Sequence, residues 1–251
     1  MAWRWTRAVL VPGFPSRVQQ VRGHLHSASL QKFFTNKTHK KYCENCGKPS
    51  ALLLERCSYC GEALSDSQIA AMGRDPLLEA VLDAGTSDFD ELYRSFELLV
   101  LKHRYPVGRE HLLVMPKDTC YDLRQLRRRQ VPFLKKMYQK GMECLRSLCM
   151  LPEEAPDPPV ACGFSYPADY NHLHLHLVAA PFTRLELFAR RRGYPHSDVQ
   201  PSLLPVFYPL PEVEVQLQKK GIVRPHPALD LAGEEAQSQW ISRLDSQGRQ
   251  G

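Results

Sequence analysis

The chain lacks any apolar run near the ~20 residues a helix needs to cross a bilayer, which excludes a helical membrane span and membrane insertion. Acidic residues are missing from residues 1–42, although that stretch carries Arg4, Arg7, Arg17, Arg22, Lys32, Lys37, Lys40 and Lys41. Its charge of +8 exceeds the +6 of the whole chain, leaving a net −2 for the remainder. A uniformly basic nucleic-acid-binding body is thereby excluded. No internal repeat is visible. With 251 residues and 43% hydrophobic side chains, the chain can bury one full core plus a small satellite module.

The acid-free opening mixes arginines with Trp3, Trp5, Val9, Leu10 and Val11 and continues through Ser16, Ser27 and Ser29. This is the composition of a mitochondrial transit peptide, placed over residues 1–40, with the matrix as destination. The apolar stretch Ala8 to Val11 is too short for a secretory core. A basic arm binding RNA or acidic lipid is the alternative.

Four of the eight cysteines have metal-ligand spacing: Cys43 and Cys46 in CENC, then Cys57 and Cys60 in CSYC. Two thiolates two residues apart can face one ion, and four suit the tetrahedral preference of zinc. Gly47 and Gly61 follow the two knuckles and fit the tight turn each requires. The expectation is a structural zinc ribbon over 41–64 holding one zinc, closed to substrate. So short a module needs the metal for its folding free energy, and packs on the main domain or a partner. Cys120, Cys144, Cys149 and Cys162 have no paired spacing and read as reduced, buried thiols.

Asp75 and Pro76 read as the cap and first residue of a helix running to Ala84 and stopped by Gly85, inside a linker over 65–85. FELLVLKH from Phe96 and HLLVMP from His111 read as an antiparallel strand pair across a turn with Pro106 and Gly108. From Pro132, the apolar Leu134, Met137, Tyr138, Gly141, Leu145 and Leu148 recur at helical spacing and predict a helix packed on the sheet. Arg127, Arg128 and Arg129 read as a solvated face or a phosphate contact. The fold class is α+β, with the main domain over 86–185. Prolines crowd the chain beyond Pro181, so 186–251 reads as a Pro-rich, partly disordered extension.

Residues 172–178 read HLHLHLV. In a strand Leu173, Leu175 and Leu177 enter the core, while His172, His174 and His176 line the opposite surface with Cα atoms about 6.6 Å apart. Two chemistries can use such a row: a metal held by imidazoles with an open position for water, or attack of a neutral imidazole on phosphorus.

The stretch YNHLHLHLVAAP resembles the signature of the histidine-triad superfamily, and HLLVMPK at 111–117 is similar to that family's other landmark, a His opening a strand that ends in Pro-Lys. The lead-in YPADYN is closer to the scavenger mRNA-decapping and aprataxin-like branches. The resemblance covers roughly residues 95–182 and implies a HIT-like antiparallel sheet with packed helices, forming a homodimer that cleaves or transfers a nucleoside monophosphate without a catalytic metal. Carried over by position, it makes His174 the nucleophile and gives His172 and His176 to the phosphate oxygens, with His111 in support. Asn171 and Asp169 lie in the substrate-binding lead-in. His103 stands where the family carries a ribose-binding acid, and Asp169 where many members have Ser or Thr. Those departures, with no Gly-rich approach before the triad, motivate an alternative: a catalytically weak scaffold binding RNA or protein.

Overall fold

The computed structural model describes residues 38–225 except 53, 74, 83–88, 119, 121 and 184–205. The expected transit segment up to residue 37, the helix stop at Gly85, the arginines 190–192 and the tail from 226 lie outside the described residues. No helix among the described residues is long and apolar enough to cross a membrane.

The main domain is one six-stranded antiparallel sheet. Its strands are β4 (Glu91–Arg94), β5 (Leu98–Lys102), β6 (Gly108–Pro116), β7 (Val160–Tyr166), β8 (Leu175–Phe182) and β9 (Val206–Pro209), in the order β4-β5-β6-β8-β7-β9. The two runs read as a strand pair are β5 and β6, paired from Leu98↔Pro116 to Lys102↔Leu112. Both strands are apolar at consecutive positions because both sheet faces are covered. Leu98, Val100, Leu112, Val114, Leu173, Leu175 and Leu177 share a core cluster with Leu134, Met137 and Leu145 of helix α2 (Val131–Leu148). Burying each of those three helix side chains contributes about 1.5–3 kcal/mol. On the opposite face Leu99, Leu101, Leu113 and Met115 meet Leu77, Ala80 and Val81 of helix α1 (Pro76–Leu82).

The ribbon extends further than its cysteines. β1 (His39–Tyr42) pairs antiparallel with both β2 (Pro49–Ser50) and β3 (Ile69–Ala71), in the order β2-β1-β3. Residues 39–40, read from composition as presequence, and 69–71, read as linker, are therefore strands of the ribbon sheet. Gly47 and Gly61 take φ of +71° and +78°, and their N–H groups donate to the Cys43 and Cys57 carbonyls at 2.7 and 2.9 Å. Each closes a knuckle at the left-handed position that glycine tolerates.

A second difference lies past residue 185. β9 pairs with β7 from Gly163↔Pro209 to Tyr166↔Val206, and helix α3 (Leu210–Lys220) buries Leu210, Val213 and Leu217 in the main core. This part of the presumed extension completes the domain.

A buried histidine row as candidate active site

The antiparallel register β6–β8 places Leu113 opposite His176 and His111 opposite Val178, so His111 and the triad share the sheet face turned away from α2. His103 reaches the same face at the end of β5, its N–H bonded to the His111 carbonyl at 2.7 Å. Regular pairing of β8 begins only at Leu175, so His172 and His174 lie in the irregular lead-in. Their alternation with the core leucines nevertheless persists.

The row does not line an open surface. His172, His174 and His176 are 1–3% exposed, and His103 and His111 4% and 0%. The surface these histidines were read as lining is buried, because the face opposite α2 lies under a second layer. Tyr59 of the ribbon meets Tyr105 edge-on at 5.3 Å, and Tyr170 meets His174 edge-on at 5.9 Å.

Backbone hydrogen bonds set the tautomers of His172, His174 and His103. A carbonyl only accepts, so the 2.6 Å contact from His172 Nε2 to the Pro116 carbonyl and the 2.7 Å contact from His174 Nδ1 to the His172 carbonyl put protons on those nitrogens. His174 Nε2 then keeps the ring's in-plane lone pair. His103 Nδ1 accepts from the Tyr105 N–H at 2.8 Å. His103 stacks on His111 with centroids 4.2 Å apart, and His174 meets His176 edge-on at 4.7 Å.

Burial, which disfavours the imidazolium, lowers all five rings. His174 is pushed down to about 4, with the His172 carbonyl, Asp169 and Asp75 opposing. His111 is pushed down to about 3, with the Lys48 cation adding to burial, while His103 and His176 lie well below the ordinary range. His172 is lowered by burial against its bond to Pro116. The row is neutral at physiological pH.

Ligand nitrogens of His103, His111 and His176 lie within 4.8 Å of one another. His111 Nε2 and His176 Nδ1 are 3.0 Å apart and hydrogen-bonded. Two imidazoles on one zinc would stand about 3.3 Å apart with both nitrogens unprotonated. The two rings are hydrogen-bonded to each other, so holding an ion would require that shared proton to leave.

The four cysteine sulfurs do fit a metal. They also lie within 4.8 Å of one another, with Cys43 Sγ 3.5 Å from Cys60 Sγ and Cys46 Sγ 3.6 Å from Cys57 Sγ. Zinc–sulfur bonds of about 2.3 Å set tetrahedral sulfurs about 3.8 Å apart. Burial raises the Cys46 and Cys57 thiols; at Cys60 the Glu62 amide and neighbouring sulfurs outweigh burial and bring the thiol to about 7. Full deprotonation of such a cluster, with Cys46 and Cys57 raised, needs a cation at its centre.

Of the expected substrate contacts, Asp169 is turned elsewhere. Its carboxylate is 14% exposed, pairs with Lys48, and accepts from Ser58 Oγ and the Ala51 N–H, both at 3.4 Å. Asp169, read as part of the substrate-binding lead-in, is thus a ribbon contact. The Asn171 N–H donates to Asp75 Oδ2 at 2.5 Å, which ties the triad lead-in to the cap of α1. Lys48 and Asp75's second bond went unrecognised in the sequence, and no spacing signals either.

A neutral imidazole row on an antiparallel sheet, one ring supported from the adjacent strand, is the arrangement expected from the resemblance to histidine-triad proteins. The family model described as "Scavenger mRNA decapping enzyme C-term binding" matches residues 80–191. Aprataxin of Ciona intestinalis is 24% identical over 86 residues, covering 34% of this chain and 22% of the relative. Aprataxin of Danio rerio is 28% identical over 95 residues, covering 37% and 27%. The chain thus spans about a quarter of the length of the curated relatives it matches. A HIT family hydrolase from Legionella pneumophila Philadelphia 1 aligns with a TM-score of 0.35 and 16% identity, over 49% of this chain and all of that one. Over residues 80–191 the chain is thus similar to histidine-triad proteins, and that region is joined to a four-cysteine ribbon.

Proposed function

We propose that the protein is a nucleotide hydrolase or transferase that cleaves a phosphoanhydride or phosphoramidate bond through a nucleotidyl intermediate on His174. One observation carries this reading: a neutral His174 ring whose Nδ1–H is held by the His172 carbonyl, leaving the lone pair on Nε2. That lone pair forms a bond to the α-phosphorus while the bond to the leaving group breaks, its electron pair departing with that group. The ring becomes positive in this step, and the Nδ1–H bond to the carbonyl stabilises it. Water oxygen then bonds to phosphorus, the phosphorus–nitrogen electrons return to Nε2, and one water proton is released. His176 meets the phosphate oxygens with His111 in support, His172 holds the His174 ring through its carbonyl, and His103 and Asn171 border the nucleoside.

Cys43, Cys46, Cys57 and Cys60 hold one structural zinc in this reading. A closed set of four thiolates stabilises the ribbon and leaves no position for substrate. The basic segment that precedes β1 directs the protein to the mitochondrial matrix, and the working unit is a homodimer. The burial of every triad ring favours a second reading, a scaffold that binds RNA or protein with little turnover.

Mass spectrometry after brief exposure to adenylates, guanylates and cap analogues distinguishes them. A nucleotide adduct on His174, lost with turnover in His174→Ala while fold and zinc content persist, supports the enzyme. Undiminished turnover by His174→Ala removes the nucleophile assignment.

A further inference from the structure

The segment delivering His172 and His174 is irregular, so its backbone has no ladder to hold it before β8 begins at Leu175. Its anchors come from elsewhere. Lys40 Nζ donates to the Ala168 carbonyl at 3.3 Å, and the Asp169 carboxylate takes Lys48, Ser58 and the Ala51 amide. All four donors belong to the ribbon. Farther along, Asp75 holds the Asn171 N–H and the Cys120 carbonyl accepts from the Leu173 N–H at 2.6 Å.

Lys48 follows Cys46 by two residues and Ser58 follows Cys57 directly, one on each knuckle. Lys48 Nζ donates to Ser58 Oγ at 3.0 Å, so the pair forms one bracket around Asp169 only while both knuckles are drawn together. The four sulfurs are what a bound ion would draw together. Lys48 is 2% exposed. A cation so buried depends on its carboxylate, and the carboxylate on it.

We propose that the ribbon is a positioning element for the histidine row: Lys48 and Ser58, brought together by the metal on the four cysteines, hold Asp169 and thereby set where His172 and His174 stand. Lys48 acts through Asp169 and the loop backbone. The kinetic consequence rests on His174 as nucleophile; the structural consequence does not.

Hydrogen exchange on the full-length protein, with and without a zinc chelator, tests the structural part. The expected result is that peptides spanning 168–174 lose protection together with 43–60, while those of α2 keep theirs. Loss confined to 43–60 overturns the proposal whether or not the protein is an enzyme. In the kinetic arm, Lys48→Met lowers kcat about 10- to 100-fold and changes KM less than about threefold, as displacement of a reacting group does. Lys48→Arg recovers part of that loss. If Lys48→Met sheds its zinc, Asp169→Ala, across the contact, carries the same expectation with zinc retained at one per chain. Unchanged kcat in a zinc-loaded Asp169→Ala protein refutes positioning while leaving the nucleophile assignment intact. Absence of turnover in the wild type sinks the enzyme reading and leaves the exchange result decisive for the ribbon.

Discussion

Asp75 accepts from the Leu77 and Leu78 N–H groups at 2.9 and 3.2 Å through one oxygen, and from the Asn171 N–H through the other. Its capping role was legible in the pair Asp75–Pro76, because a cap is a local device acting within three residues. Its hold on Asn171, 96 positions away, was not. Asp75→Ala is expected to cost about 1–2 kcal/mol in urea unfolding, and Asp75→Asn less, since the amide oxygen still accepts. Equal stability of the alanine variant would show that neither bond contributes. The same division holds at His174: residue type and alternation marked it as a candidate, but only the His172 carbonyl in place identifies which nitrogen carries the proton.

Among the elements, β7 illustrates how glycine sets a spacing. A Cβ built at Gly163 would stand 2.4 Å from the Tyr208 carbonyl and 2.7 Å from the Phe207 ring, so β9 lies against β7 only because that side chain is missing. Gly163→Ala is expected to destabilise by about 1–3 kcal/mol, the usual range for overpacking, read as a lower urea midpoint with unchanged secondary structure by circular dichroism. A wild-type midpoint would mean that β9 moves aside without cost. β9 itself was hidden in the sequence. It is four residues long among prolines, and proline argues against a central strand while an edge tolerates it; β9 closes one end of the sheet order. By contrast α2 was readable because its apolar positions recur every three or four residues, and Leu134, Met137, Gly141 and Leu145 are all buried.

At the scale of the whole molecule, five imidazoles are buried in neutral form. Their folded pKa values lie below the unfolded value near 6.5, so below that pH the unfolded chain binds protons the folded chain refuses. Stability is thus unaffected by these groups above about 6.5 and falls as the pH drops toward the value of about 4 at His174 and about 3 at His111. Urea midpoints should fall between pH 7 and pH 5, with metal content followed in parallel because thiolate protonation releases metal over the same range. A midpoint constant over that interval with metal retained would contradict the neutral buried row.

The sequence alone determined whatever depends on neighbours a few residues apart: the two cysteine knuckles with their glycines, the capped start of α1, the amphipathic face of α2, and the alternation that separates His172, His174 and His176 from the leucines between them. Hydrogen-bonded turns and side-chain periodicity are short-range, and residue order encodes them directly. Tertiary structure alone decided that the ribbon lies against the histidine face, that Lys48 captures Asp169, that β9 and α3 join the domain, and that the triad is buried rather than open. Each of those facts depends on which segments far apart in the chain meet, from Gly163 and Pro209 in the sheet to Lys48 and Asp169, 121 positions apart. Packing free energy settles that choice, and no local pattern records it.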